Sequence, residues 1–410
     1  MLIWEEYKKV VFNNQKVVIA NTENGKWIRT TKDVYSVIEQ IVCENYNVEE
    51  VELEQEKDKK YIKDVMLALK EIGVLVEEED RKKRIYDNKQ VSIELTNNCN
   101  LKCVHCCVGA GEREKKDLDT DCIIEILEKC IKWNPEEINL SGGEPLLRKD
   151  FFEILQYLRK RYKGHITLST NGTLINCDNV LKLCDNLDQI DISLDGVDEK
   201  TCSAIRGRGV FNKVIKTIEL LHINGFQNIS LSMVVANKNE RLEQEFRKLN
   251  ERIGTRPVIR MFAEIGRGAE NTSFFLDKSS SSIYIPEQFL KGNFVRDSLG
   301  ARCCGAGRNE LFIRYNGEVF PCPSYMNEKY LLGNVLNVKN LNELTIKSKK
   351  NIEEVMRNMD LINSEKCREC NVSLFCWTCP GEAYRLKKQF ELSEYCNKCK
   401  EILYRKVWEE

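Results

Sequence analysis

Apolar and polar positions divide the chain into three stretches of different rhythm. Near the start, short β-type runs, Lys8–Phe12, Gln15–Ala20 and Gly25–Arg29, are parted by Asn13-Asn14 and Asn21-Thr22-Glu23-Asn24. Such runs predict strands joined by hairpin turns, because asparagine tolerates left-handed backbone. A helical rhythm follows. From Asp33 to Cys43, Val34, Ile38 and Ile41 fall on one side, and from Lys60 the series Ile62, Val65, Leu67, Leu69 and Ile72 ends at Gly73, a helix stop. A further strand, Val74–Glu78, and a charged linker from Glu77 to Arg84 complete an α+β unit over residues 1–85.

From Val91 to about Gly268, strand and helix patterns alternate. Val91–Leu95, Glu137–Leu140, His165–Ser169, Gln189–Leu194, Asn228–Val235 and Val258–Met261 are strand candidates, separated by amphipathic stretches such as Ile123, Ile124, Leu127, Cys130, Ile131. Six βα units predict an α/β domain over residues 90–275, a partial (βα)6 TIM barrel; the two further repeats of a full barrel are not found. In such folds the chemistry gathers in loops at the carboxyl ends of the strands. The serines Ser279–Ser282 mark a linker, and residues 300–410 form a third unit with little periodicity that carries nine of the 19 cysteines.

With 410 residues, 42% hydrophobic and 31% charged, the chain is globular and neither disordered nor collagen-like. Lysine plus arginine, 63, nearly equals aspartate plus glutamate, 64, so no global field draws nucleic acid. No run of 18 apolar residues exists and the first residues lack a basic-then-apolar pattern, which leads us to expect a cytoplasmic protein without a membrane segment. Nineteen cysteines against three histidines then favour reduced thiols that bind metal, as iron–sulfur clusters or all-cysteine zinc.

The cysteines start directly after the first strand of the second unit. Cys99, Cys103 and Cys106 form a C-x3-C-x2-C triplet on one loop. Three thiolates so placed can hold three irons of a 4Fe-4S cube and leave the fourth open to a small molecule, whereas a structural zinc would lack its fourth ligand. This triplet resembles that of the radical S-adenosylmethionine (SAM) superfamily, with His105 where the family has an aromatic residue and with Cys107 as an additional, structural thiol.

The later strand ends agree with the resemblance. Ser141-Gly142-Gly143-Glu144-Pro145 resembles the family's GGE motif, whose backbone and glutamate contact the SAM amino group. Thr170-Asn171 resembles its ribose-contacting turn, Ser193-Leu194-Asp195 with Arg206 its grip on the SAM carboxylate, and Glu264-Ile265-Gly266 its adenine-binding stretch. Glycine admits close backbone approach, and guanidinium grips a carboxylate in a planar fork. The resemblance implies that an electron from the cluster cleaves SAM to a 5'-deoxyadenosyl radical, which removes hydrogen from an unactivated C–H bond.

The tail resembles the seven-cysteine SPASM extension of peptide-modifying radical SAM enzymes: Cys304, Gly317 to Cys322, Cys367-x2-Cys370-x5-Cys376-x2-Cys379 and Cys396. Carried over by position, Cys304, Cys322 and Cys379 hold one auxiliary 4Fe-4S cluster and Cys367, Cys370, Cys376 and Cys396 a second. Only two residues separate Cys376 from Cys379 where the family has three, and Cys303 and Cys399 leave the first and last ligands open. The first segment resembles the winged-helix-like PqqD recognition element of ribosomal-peptide maturation systems, in which a sheet edge accepts a leader peptide. Together these imply a maturase for a precursor peptide, reduced by a flavodoxin or ferredoxin-like protein, that closes a thioether as in sactipeptides and ranthipeptides. Carbon–carbon crosslinking is the alternative, and sulfatase maturation is a second one, although Pro323 stands where that family carries its catalytic aspartate. No proton acceptor is assigned by the sequence.

Overall fold

The computed structural model describes residues 1–46, 48, 56–81, 89–111, 117–277, 299–359, 365–376 and 392–410. Their contacts separate two compact units, one built from Met1–Tyr86, Glu287–Gly305 and Val355–Glu410, the other from Asp87–Pro286 and Ala306–Glu354.

In the first unit, β1 (Leu2–Trp4) is followed by β2 (Lys8–Asn13), β3 (Lys16–Asn21) and β4 (Trp27–Thr31), and later by β5 (Leu75–Glu77). β2, β3 and β4 make an antiparallel sheet whose first turn carries Asn14 at φ 50°, as the asparagine break predicts. Thr31 caps the helix Lys32–Glu44, and the helix Glu56–Glu71 stops before Gly73 at φ 74°. Ile38, Ile41, Leu69 and Leu75 close over Val17 and Ile19 as one apolar core. β1, which the periodicity missed, pairs antiparallel with β5. The last residues of the chain belong to the same unit. The Lys16 ammonium donates to the Trp408 carbonyl at 2.8 Å, Arg29 to that of Val407 at 2.6 Å, and the Trp27 ring meets Phe375 edge-on at 5.0 Å.

The second unit is built on β6 (Gln90–Glu94), β7 (Glu137–Ser141), β8 (His165–Thr170), β9 (Gln189–Ser193), β10 (Ile229–Val235) and β11 (Arg256–Met261), the six strands that the rhythm predicts. They lie parallel in chain order. Helices cover them with apolar faces: Thr120–Trp133, capped by Asp119, buries Ile123, Ile126, Leu127 and Cys130, and Phe151–Arg161 buries Ile154, Leu155 and Leu158. The sheet departs from the expected six strands on one side. β12 (Glu310–Ile313) adds parallel to β6, and β13 (Glu318–Phe320) and β14 (Gly333–Asn334) follow antiparallel, giving nine strands ordered β11-β10-β9-β8-β7-β6-β12-β13-β14. Residues expected to lack regular structure thus extend the barrel sheet, because Leu311, Phe312 and Ile313 supply the continuous burial that a strand beside β6 needs. Among the described residues no helix is long and apolar enough to cross a membrane.

Candidate active site

All six parallel strands end on the same side, and the β6 loop with its three cysteines stands at the first of these ends. Thr96, Asn97 and Asn98 begin that loop and are fixed by Asp117, which accepts from the Thr96 hydroxyl at 2.5 Å, the Asn97 amide at 3.1 Å and the Asn98 side chain at 3.0 Å. The β7 turn presses on it from one side. Gly143 N–H donates to Thr96 O and Glu144 N–H to Asn98 O, both at 2.8 Å, and a Cβ on Gly143 would stand 2.3 Å from the Asn98 carbonyl oxygen. From another side comes the β11 end, where Gly266 at φ 54° has no room for a Cβ against the Cys106 and Cys107 carbonyls. Arg267 completes the clamp: its N–H donates to Cys106 O at 3.0 Å, its Nε to Cys103 O at 2.9 Å and Nη1 to Ala110 O at 2.8 Å.

Glu144 is fully buried, and its carboxylate receives the Thr170 hydroxyl at 2.8 Å and the Asn171 N–H at 2.8 Å. It therefore braces the β8 turn, in addition to the contact with the SAM amino group that the resemblance implies. Asn171 in turn donates to Asn100 Oδ1 at 2.8 Å and lies 3.9 Å from the Cys99 sulfur, so this turn reaches the cysteine loop. Gly142 packs with its neighbour against Thr96. Ile265 lies in the tight turn before Gly266, and Ser193 meets Ser232 Oγ at 3.4 Å at the β9 end.

Beneath the loop Asp195 and Arg206, the expected grip on the SAM carboxylate, form one buried polar group with His105. Asp195, in the left-handed region at φ 55°, accepts Val234 N–H at 2.5 Å, lies 2.7 Å from His105 Nε2 and ion-pairs with Arg206. Burial opposes its charge, but Arg206, His105 and the Val234 amide hold its carboxyl well below the usual carboxylate range. The ring of His105 stacks on Phe275 at 5.6 Å, and Phe275 on Phe262 at 4.5 Å. Spacing in the sequence shows His105 and Asp195 separately; only the fold brings them together.

The cysteine loop suits an iron–sulfur cube. Burial pushes the Cys99 thiol up to about 11 and raises that of Cys103, so bare thiolates are disfavoured until a positive partner arrives. Each sulfur has an N–H donor: Leu101 at 3.4 Å for Cys99, Arg206 at 3.6 Å for Cys103 and Ala110 at 3.4 Å for Cys106. Among the described residues no three His, Cys, Asp or Glu side chains converge as they would around one ion. A cube asks for less convergence, since each thiolate takes its own corner iron. Cys107 is exposed, with its thiol within reach of the charges of Glu94 and Arg260.

In the tail, Cys304 belongs to the first unit and Cys322 to the second, and Cys379 lies outside the described residues. Cys367 and Cys370 stand on one turn, the Cys370 N–H donating to Cys367 O at 3.3 Å. Cys376 makes thiol hydrogen bonds with both Cys396 and Cys399, which hold its own thiol up and lower that of Cys396 to about 6. Cys399, left open by the sequence, is fully buried beside them.

Residues 93–249 match the model of the Radical SAM superfamily and residues 303–371 that of an iron–sulfur cluster-binding domain, SPASM. The mycofactocin maturase MftC of Mycolicibacterium smegmatis is 32% identical over 60% of this chain and 66% of its own length, and that of Mycobacterium ulcerans 32% identical over 59% and 70%. The chain thus spans about two thirds of the length of these curated relatives. Two solved structures share the fold. SuiB of Streptococcus suis bound to S-adenosylmethionine superposes with a TM-score of 0.54 over 95% of this chain and 97% of its own at 15% identity. An anSMEcpe complex with AdoMet and a peptide gives 0.56 over 75% and 96% at 20% identity. The chain belongs to the radical SAM enzymes that carry a SPASM extension. Within them it is of the peptide-maturase type, and its cofactors are SAM and 4Fe-4S clusters.

Proposed function

We propose that the protein is a maturase that installs a thioether between a cysteine sulfur and a carbon of another residue in a ribosomally made precursor peptide. When bound, SAM and the loop cluster supply a 5'-deoxyadenosyl radical, and the auxiliary clusters supply a sink for the second electron. The chain's residues do the rest: Cys99, Cys103 and Cys106 hold the loop cluster, and the β7, β8, β9 and β11 ends around it position SAM through Gly142, Gly143, Glu144, Thr170, Asn171, Ser193, Asp195, Arg206, Ile265 and Gly266. Glu144 also acts from beneath through the β8 turn. Cys304, Cys322 and Cys379, with Cys367, Cys370, Cys376 and Cys396, hold the auxiliary clusters.

The observation that carries this reading is the cysteine loop clamped among the strand ends, together with a second, cysteine-rich region elsewhere in the chain. A peptide substrate is supported by the maturase relatives and by the structure of SuiB with its precursor peptide SuiA, which shares the fold with a TM-score of 0.55 at 16% identity. The amino-terminal unit over residues 1–85 is proposed as the PqqD-like, winged-helix-like element that takes the leader as an added strand. Among the described residues no strand pairs with the outer edges of β2 and β4, which supports that role. A flavodoxin or ferredoxin-like protein is the proposed reductant, in the cytoplasm. Pro323 after Cys322 speaks against sulfatase maturation, and carbon–carbon closure remains the second reading of the same site.

The test is the mass of a cysteine-containing precursor encoded beside the gene after anaerobic co-expression. Loss of two hydrogens per crosslink with loss of an alkylatable thiol is expected. Loss of two hydrogens with all thiols still alkylatable replaces the thioether by a carbon–carbon link, and an unchanged mass refutes maturation of that peptide.

A further inference from the structure

The donors to the three loop sulfurs are not of one kind. Cys99 and Cys106 receive backbone N–H groups of the loop itself, from Leu101 and Ala110, and Cys99 also the neutral side-chain amide of Asn171 at 3.9 Å. Cys103, the buried one of the three, receives instead a charged donor, the Arg206 guanidinium through Nη1 at 3.6 Å, and among the described residues it has no other donor to its sulfur. Arg206 ends the helix Glu199–Arg206, and the preceding carbonyl, Ile205 O, accepts Val104 N–H at 3.0 Å, so that helix end and the cysteine loop are tied together. The other arm of the guanidinium is held by Asp195, whose position is fixed by its own bonds to Val234 and His105.

We infer that Arg206 acts on the cysteine loop itself: its hydrogen bond to the Cys103 sulfur raises the reduction potential of the cluster held there, and Asp195 is the positioning residue that aims it. This rests on the reading of the loop as the cluster site. It differs from a hold on the SAM carboxylate, because it operates whether or not SAM is present. The physical reason is charge. Reduction adds an electron to a cluster ligated by thiolates, and an N–H donor and a positive group at a ligating sulfur stabilise the more negative state. At a buried sulfur the effect is screened little.

The test is a potentiometric titration of the full-length, fully reconstituted protein without SAM, followed by electron paramagnetic resonance. The loop signal is identified as the one missing from Cys103→Ala. Arg206→Gln should shift its midpoint to more negative potential at unchanged iron content, while Arg206→Lys, which keeps the charge but not the fork, should fall between Arg206→Gln and the unsubstituted protein. Should Arg206→Gln fail to retain iron, the Arg206→Lys shift carries the comparison. A midpoint unmoved in every variant that keeps its iron overturns the inference and leaves the cluster reading standing. Absence of any signal that Cys103→Ala removes would instead overturn the cluster reading.

Discussion

The contact between the β7 turn and the cysteine loop allows a quantitative prediction for Gly143→Ala. Gly143 has ordinary backbone angles, so alanine adds no conformational strain of its own and the entire effect is steric. The new methyl would stand 2.3 Å from Asn98 O, 2.7 Å from Asn98 C and 3.1 Å from Ala110 Cβ, and two of those three atoms are backbone that cannot swing aside. Relief requires the turn to lift off the loop, which breaks the two 2.8 Å hydrogen bonds from Gly143 and Glu144 N–H. At about 1 kcal/mol each, the loss is about 2 kcal/mol. For a unit of this size that lowers Tm by roughly 4–8 °C. Because Asn98 adjoins Cys99, iron retained after reconstitution should fall as well. Differential scanning calorimetry with iron analysis reads both, and Leu181→Ala, at an exposed side chain, serves as the control expected to stay within about 0.5 kcal/mol. Gly143→Ala melting with the control and keeping its full iron would refute the claim that this turn supports the loop.

Phe275→Ala removes a fully buried ring sandwiched between His105 and Phe262 and should cost about 3–5 kcal/mol in chemical denaturation; a loss below 1 would show the stack to be loose. Trp133→Phe loses the indole hydrogen bond to Asn342 Oδ1 at 3.0 Å, and about 1 kcal/mol of stability should go with it while iron content holds. Asp150 is paired through both carboxylate oxygens with Arg148, itself donating to Leu95 O at the root of the loop. Burial works against the Asp150 carboxylate, yet Arg148 and Thr120 hold its pKa below the ordinary value, so its stabilisation is present above the unfolded-state pKa, about 4, and is lost as pH falls through the folded value. The stability difference from Asp150→Asn should therefore be constant between pH 5 and 8, roughly 1.5–3 kcal/mol, and shrink only in stronger acid; a difference that grows on acidification contradicts the pairing.

The sequence was most legible where burial is continuous. β6 to β11 are short apolar runs flanked by turn residues, and the helices between them keep one apolar face, so both their number and order could be read. β12 escaped because four residues after a cysteine-dense stretch are too few to set a period, and its partner β6 lies more than two hundred residues earlier. β1 escaped because its three residues are too few to set a period. In the site, the cysteines and glycines announced themselves through spacing, while the role of Glu144 as a brace and the meeting of His105, Asp195 and Arg206 depend on which strand ends become neighbours. No local pattern encodes that. The pairing of Cys376 with Cys399 as well as Cys396 follows from Cys396 and Cys399 lying one turn apart on the helix Leu392–Tyr404, a spacing that was visible but not decisive.

β12 has a consequence for how the molecule breathes. Without it, β6 would be an outer strand, and outer strands are where a sheet frays first. With β7 on one flank and β12 on the other, the amides that root the cysteine loop are paired on both sides. Thermal opening then begins at β11 and β14 and reaches β6 late, so an oxygen-labile centre would be shielded by the order of events as much as by the walls around it. Amides of Val91 and Ile93 should accordingly exchange with deuterium more slowly than those of Ile259 and Met261 at the far edge.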